Sequence, residues 1–362
     1  MRSIALLPLL VCCILLMNNQ GCRPHSPSQS NGQWHTFYTP RHAQGFQILT
    51  NHDTSAFRIL LVEANKKDTI KDWVVANHGT HRTVCLSTTH LPMFQSIDAM
   101  DQVVGVGFAH LVKNEAAQQA IQQGSITNIS HGEDISEELM LALKPDHFLI
   151  YSYGDKDYSK YQTRGIEVIP IAEYLEKTPL GRSEWVVLIG ALAGKIQEGI
   201  TVFEDLEKKY MVTRQSVADF QKPTVFTGYY NAGNWYAPPG NSFVATFLQD
   251  AGSDYILKDS LANENLIIPF EKMLVSMHQC AFWGKLTFAA ADPTAANFVS
   301  DAPQLAQLPS FQSKKLFYCN THATDYFGDA IMEPDVILKD LIEIFHPGTD
   351  SLHAPVYFTM VD

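Results

Sequence analysis

Between residues 183 and 220, apolar side chains fall at Trp185, Leu188, Leu192, Ile196, Phe203, Leu206 and Tyr210, mostly three or four apart. That spacing buries one stripe of a helix. No proline interrupts the run, so the pattern predicts one continuous helix over 183–220, roughly 55 Å long at 1.5 Å per residue. On both sides of it, short apolar runs alternate with helical patterns. In the first half, strands are expected at 83–86, 103–106, 147–151 and 167–171, with helices at 91–100 and 135–143. In the second half, strands are expected at 224–227, 281–283 and 316–318, with helices at 242–249, 271–277 and 334–345. Pro334 suits the first turn of the last helix, and His346-Pro347-Gly348 stops it. Strands alternating with helices predict parallel sheets covered on both faces. The fold class is therefore α/β, with two α/β lobes joined by a single long helix.

A small β-rich prelude at 34–81, with alternating segments at 46–49 and 57–62, is expected to pack on the first lobe. The expected boundaries are 82–182 for the first lobe, 183–220 for the helix, 221–348 for the second lobe and 349–362 for a tail. Ahead of the prelude, residues 4–17 form an apolar core behind Arg2, too short and too near the terminus for a membrane span. Asn18-Asn19-Gln20-Gly21-Cys22 then places a small residue before a cysteine. This is similar to a bacterial lipoprotein signal, cleaved before Cys22, whose thiol would carry the lipid anchor. Asn19 stands where an aliphatic residue is usual, and an ordinary secretory signal is the alternative. Either reading exports the mature chain, with 1–22 as signal and anchor and 23–33, rich in Ser, Pro, Asn and Gln, as a flexible tether.

The formal charge of -12 argues against nucleic acid or anionic lipid as a partner, so membrane contact is expected through the anchor only. Beyond the signal and Cys22, the remaining cysteines are Cys85, Cys280 and Cys319. An odd number without C-x-x-C spacing predicts buried free thiols rather than a zinc site or disulfide framework. There is no G-x-S-x-G elbow, H-E-x-x-H helix or phosphate loop, so no enzyme is expected. No histidine pair lies at helical i, i+4 spacing with an acid nearby, so neither a bound metal nor a cofactor is expected.

Four segments carry a resemblance. They are Val103-Val104-Gly105-Val106; Glu137-Glu138-Leu139-Met140-Leu141-Ala142-Leu143-Lys144-Pro145-Asp146; Trp235 with Gly240, Ser242-Phe243 and Asp250-Ala251-Gly252-Ser253-Asp254-Tyr255; and Met332-Glu333-Pro334-Asp335-Val336-Ile337-Leu338-Lys339-Asp340-Leu341 before His346-Pro347. In this order they resemble the substrate-binding lipoproteins of ABC importers for iron–siderophore complexes, haem and cobalamin, the type with a helical backbone between lobes. The resemblance covers about 82–348. Ser253 departs from it where a second glycine is usual, and the prelude lies outside the shared core. It implies a monomeric, exported carrier in the periplasm, lipid-anchored, that captures a metal chelate and hands it unchanged to an ABC permease. An iron siderophore is the first expectation, with cobalamin or haem as alternatives. The resemblance also implies one acidic docking residue on each lobe, Glu138 and Glu271. Both lie at helix starts, where a carboxylate is also favoured simply as a cap.

Ligand residues are expected on loops beyond the carboxyl ends of the strands, facing the interlobe crevice. That selects Thr89, His90, Phe108, His110, Tyr151 and Tyr153 in the first lobe. In the second it selects Tyr229, Trp235, Tyr236, Trp283, Lys285 and Tyr326. Aromatic side chains offer rigid area with a polar handle, though any of them could instead fill the core. Trp235-Tyr236 stands out, because Asn231-Ala232-Gly233-Asn234 and Pro238-Pro239-Gly240 mark an exposed loop around it. With Lys285 and Lys113 as the evident cations, a neutral or weakly charged ligand is expected.

Overall fold

The computed structural model describes residues 33–63, 68–77, 79–132, 134–151 and 157–361. Cys22 and Tyr153 lie outside the described residues. In the first lobe, Thr83–Cys85, Val103–Val106, His147–Ile150 and Glu167–Pro170 pair in parallel, with Thr127–Asn128 on the edge. In the second, Thr224–Thr227, Asp254–Tyr255, Phe282–Thr287 and Leu316–Asn320 do the same. Numbered in chain order within each lobe, the four main strands run 4-3-1-2 in both sheets. The lobes therefore repeat one topology. Their central strands are buried on both faces, which is why they read as continuous apolar runs.

The expected unbroken helix over 183–220 is corrected by the structure. Pro179–Ser183, Trp185–Leu192 and Ile196–Gln215 are separate helices, and 216–220 lies beyond the last of them. The chain reverses at Gly194, whose φ of +68° favours glycine. The second and third helices then pack against each other through two further glycines. A Cβ on Gly199 would lie 2.9 Å from the Val186 carbonyl oxygen, and one on Gly190 would lie 2.7 Å from that of Lys195. Helix Ile196–Gln215 is about 30 Å long. It still bridges the lobes, because Ile196 and Phe203 enter the core of the first while Leu206 and Tyr210 enter that of the second. With one helix planted in both cores, adding ligand is expected to change the radius of gyration in solution scattering by no more than roughly 1 Å. A contraction of several ångströms would show a free hinge instead.

Residues ahead of the first lobe form an antiparallel sheet, His35–Tyr38, Phe46–Thr50, Ala56–Val62 and Thr69–Ala76 in chain order. Its buried face, including Phe46, Ile48, Phe57 and Ile59, merges with Trp185, Leu188 and Leu192 of the helix pair. Two buried carboxylates fasten the turn between its first strands. Glu184 accepts hydrogen bonds from the Tyr38 hydroxyl (2.7 Å) and from the backbone N–H groups of Arg41 (2.7 Å), His42 (2.8 Å) and Ala43 (2.6 Å). Glu176 accepts from the N–H groups of Gln44 and Gly45 and from Trp185 Nε1, each at 3.0 Å.

The residues beyond 348, expected as a tail, are built into the second lobe. Buried Asp340 accepts from the N–H groups of Val356 (3.1 Å), Tyr357 (2.6 Å) and Phe358 (2.9 Å), and pairs with His353 Nε2 at 2.6 Å. Thr359–Met360 adds an antiparallel edge beside Phe317 and Tyr318. Cys85, Cys280 and Cys319 are buried free thiols, and burial pushes Cys280 and Cys319 up to about 12. Among the described residues, no helix is long and apolar enough to cross a membrane.

Candidate functional site

Loops beyond the carboxyl ends of the first-lobe strands face the second lobe across a cavity of about 570 Å³. Thr88 and Thr89 follow the first strand, Tyr151 the third, and Glu173 and Tyr174 the fourth; Phe243 and Phe327 close it from the second lobe. A second chamber of about 350 Å³ lies in the second lobe, lined by Tyr229, Tyr236, Phe243, Phe247, Leu286, Phe317, Tyr326 and Phe358, with Lys285. Phe243 borders both spaces.

The expected exposed loop around Trp235 is instead a hairpin. Tyr229–Asn231 and Asn234–Ala237 are joined by Ala232-Gly233, both with positive φ (46° and 82°), as a two-residue turn of this hand requires. Strand alternation sends Trp235 inward and Tyr236 to the chamber. There the Tyr236 ring stacks on Tyr229, with centroids 5.2 Å apart and planes within 8°. Trp235 is buried, its Nε1 donating to the Thr227 carbonyl at 3.1 Å, so it is a core residue. Trp283 is also core, stacked on Phe226 at 5.4 Å and edge-on to Phe298 at 4.9 Å.

His90 departs from the expectation as well. It is fully enclosed, with no partner on either ring nitrogen, and burial lowers its pKa to about 3, so the ring is neutral. Phe108 and His110 contact one another edge-to-face at 6.5 Å and do not line either space. Thr89, Tyr151, Tyr229, Tyr236, Lys285 and Tyr326 do. Thr89 also donates to Glu173 at 2.6 Å, and Lys285 Nζ donates to the Asn297 carbonyl at 3.2 Å.

Lys113, expected as a cleft cation, latches the lobes together. Its Nζ donates to the backbone carbonyls of Thr321 (2.5 Å), His322 (2.6 Å) and Thr324 (3.0 Å). Thr88 Oγ1 to the Phe327 carbonyl (2.6 Å) and Asn114 to Asp329 (2.7 Å) complete the latch.

Of the cleft residues outside the sequence reading, Arg182 and Glu173 carry ionisable groups. Arg182 sits on the short helix Pro179–Ser183, which Thr178 caps by accepting from the Gly181 N–H at 3.0 Å. Its guanidinium carbon lies 4.4 Å from the centre of the Phe243 ring. Its Nε is buried without a hydrogen-bond partner among the described residues. Glu173 is 2% exposed; its second oxygen has no partner, and burial raises its pKa against the opposing effects of Thr89 and Arg182. Glu173 follows a strand end, so the rule that chose the other loops would have found it. Arg182 had only the Thr178-Pro179 helix-start signal. Among the described residues, no three His, Cys, Asp or Glu side chains are grouped to share a metal ion.

Residues 83–323 match the family described as periplasmic binding protein. The chain belongs to the periplasmic binding protein family. By family it is a binding protein rather than an enzyme. An uncharacterised lipoprotein of Methanocaldococcus jannaschii is 24% identical over 301 residues, covering 78% of this chain and 71% of the relative. A periplasmic binding protein from Veillonella parvula shares the fold with a TM-score of 0.63 at 13% identity, covering 81% of this chain and 98% of that one. A periplasmic haem-binding protein from Pseudomonas aeruginosa gives a TM-score of 0.60 at 16% identity, covering 78% and 98%.

In this periplasmic binding protein, Glu138 and Glu271 are both exposed and both occupy the second helical position, behind Ser136 and Pro269. Each helix leads into the third strand of its lobe, so the two carboxylates occupy corresponding places in the repeated topology. A helix antiparallel to the strand it precedes starts near that strand's carboxyl end, which puts both on the cleft side of their sheets.

Proposed function

We propose that this protein is the solute receptor of an ABC importer, capturing a metal chelate, an iron siderophore, and delivering it unchanged to a membrane permease. The observation that carries the reading is the aromatic cleft between two lobes of repeated topology, reached from the strand ends of both. Its walls are largely aromatic, with the Thr88 and Thr89 hydroxyls and the Glu173 carboxyl among them, and its lining cations are only Arg182 and Lys285 among the described residues, which suits a weakly charged chelate better than a polyanion. Haem or cobalamin is the second reading, favoured by the flat face of the Tyr229–Tyr236 pair and by the Pseudomonas haem-binding relative of the fold. Lipid attachment at Cys22 is supported by the archaeal lipoprotein relative, and export to the periplasm as a monomer completes the proposal.

Titrating the purified protein with a ferric trihydroxamate, haemin and cyanocobalamin, while following tryptophan fluorescence, tests it. One-to-one saturation by the ferric hydroxamate is expected, with a Kd on the order of 1 μM or below. Saturation by haemin or cyanocobalamin alone would reassign the cargo, and saturation by none would remove the chelate reading.

A further inference from the structure

We infer that the cleft takes an amphipathic ligand, its apolar body in the second-lobe chamber and a single anionic oxygen group on Arg182. This rests on the reading that the cleft holds a small solute, and it names the chemistry of that solute more narrowly. The chamber walls, Tyr236, Phe247, Leu286, Phe317 and Phe358, suit an apolar body and supply few polar partners. The other cations nearby already have fixed positions. Lys113 is held by three carbonyls on the latch, and Lys285 by Asn297 with Phe298 5.7 Å away.

Arg182 differs from both. Its Nε is buried with no acceptor among the described residues, a state that natural structures rarely leave unfilled. The face of Phe243 fixes the plane of the guanidinium. A fixed planar fork favours two parallel hydrogen bonds to a carboxylate or similar group over a lone neutral acceptor. Phe243 also borders the chamber, so a ligand seated there reaches Arg182 by crossing one ring. Glu173 faces the same cavity with one oxygen unpartnered. Burial raises its pKa, which lessens the repulsion an anion would otherwise meet.

Two fluorescent probes with the same apolar body separate the charge from the chamber: 1-anilinonaphthalene-8-sulfonate, an anion, and neutral N-phenyl-1-naphthylamine. Both are titrated into the full chain, into Arg182→Gln, Arg182→Lys and Tyr236→Ala. Arg182→Gln is expected to weaken the sulfonate at least about ten-fold while leaving the neutral probe within about two-fold. Arg182→Lys should recover part of the sulfonate affinity, and Tyr236→Ala should weaken both probes. An unchanged neutral probe shows that the Arg182 variants keep the chamber intact. If Arg182→Gln leaves the sulfonate unchanged, or weakens both probes alike, the anion assignment is overturned while the cleft reading stands. If neither probe binds, or Tyr236→Ala changes neither, the cleft reading fails and the inference fails with it.

Discussion

Glu138→Ala combined with Glu271→Ala is expected to abolish uptake of the proposed chelate by intact cells while changing the affinity of the purified protein by less than about two-fold. Both carboxylates are exposed, and neither has an ion-pair partner among the described residues. Glu137 next door shows the contrast, since Lys160 at 3.0 Å and Arg164 at 2.5 Å hold it in a surface cluster. A carboxylate kept unpaired at the same helical position in each lobe is well placed to meet cationic pockets on a permease. Burying such a charge against an arginine and then truncating it costs about 2–5 kcal/mol per site, so the pair together would lower productive docking by several orders of magnitude. Each single variant should retain measurable transport. Labelled ferric hydroxamate uptake, set beside fluorescence titration of the same variants, checks the split. Lost affinity would reassign these residues to the cleft, and normal transport would dismiss them as docking groups.

The second large effect concerns stability. Glu184→Ala is expected to destabilise the protein by about 3–5 kcal/mol, because it strands one hydroxyl and three backbone N–H groups that the carboxylate now receives. Glu184→Gln should be nearly as harmful, since its amide nitrogen cannot accept those hydrogen bonds. The nearby contacts of Arg41 and His42 with Glu207, at 2.9 and 2.7 Å, are partly exposed and offset little. Urea unfolding should show a lower midpoint with an unchanged slope. A loss below about 1 kcal/mol would mean that the turn at 41–45 is held mainly by the sheet packing beneath it.

Much of this architecture was legible in the sequence, and its failures have physical causes. Strands buried on both faces, such as 103–106 and 224–227, reveal themselves by composition alone. The helix 334–345 was marked at both ends by proline and glycine, and the structure places it at Pro334–Phe345. The break at Gly194 was missed because Trp185–Leu192 is buried all round, so apolar residues continue to fall at helical spacing straight through the turn. The glycine itself was the available signal. At the site, Tyr229 and Tyr236 were chosen with Trp235, but a loop reading cannot say which side chains face inward. Only recognising Ala232-Gly233 as a two-residue turn would have supplied the alternation that separates them. Arg182 was beyond reach for another reason. It lies on a helix between the lobes, and only the three-dimensional meeting of Pro179–Ser183 with Phe243 brings it to the cleft.

Phe358 belongs to the last stretch of the chain, yet it forms part of the chamber wall, held there by the Asp340 carboxylate from the preceding helix. Selection can therefore reshape the cargo space by editing the carboxy-terminal dozen residues, leaving both parallel sheets and the bridging helix untouched. Receptors of this kind could diverge in diet through their final segment alone, provided that an aspartate remained to hold it.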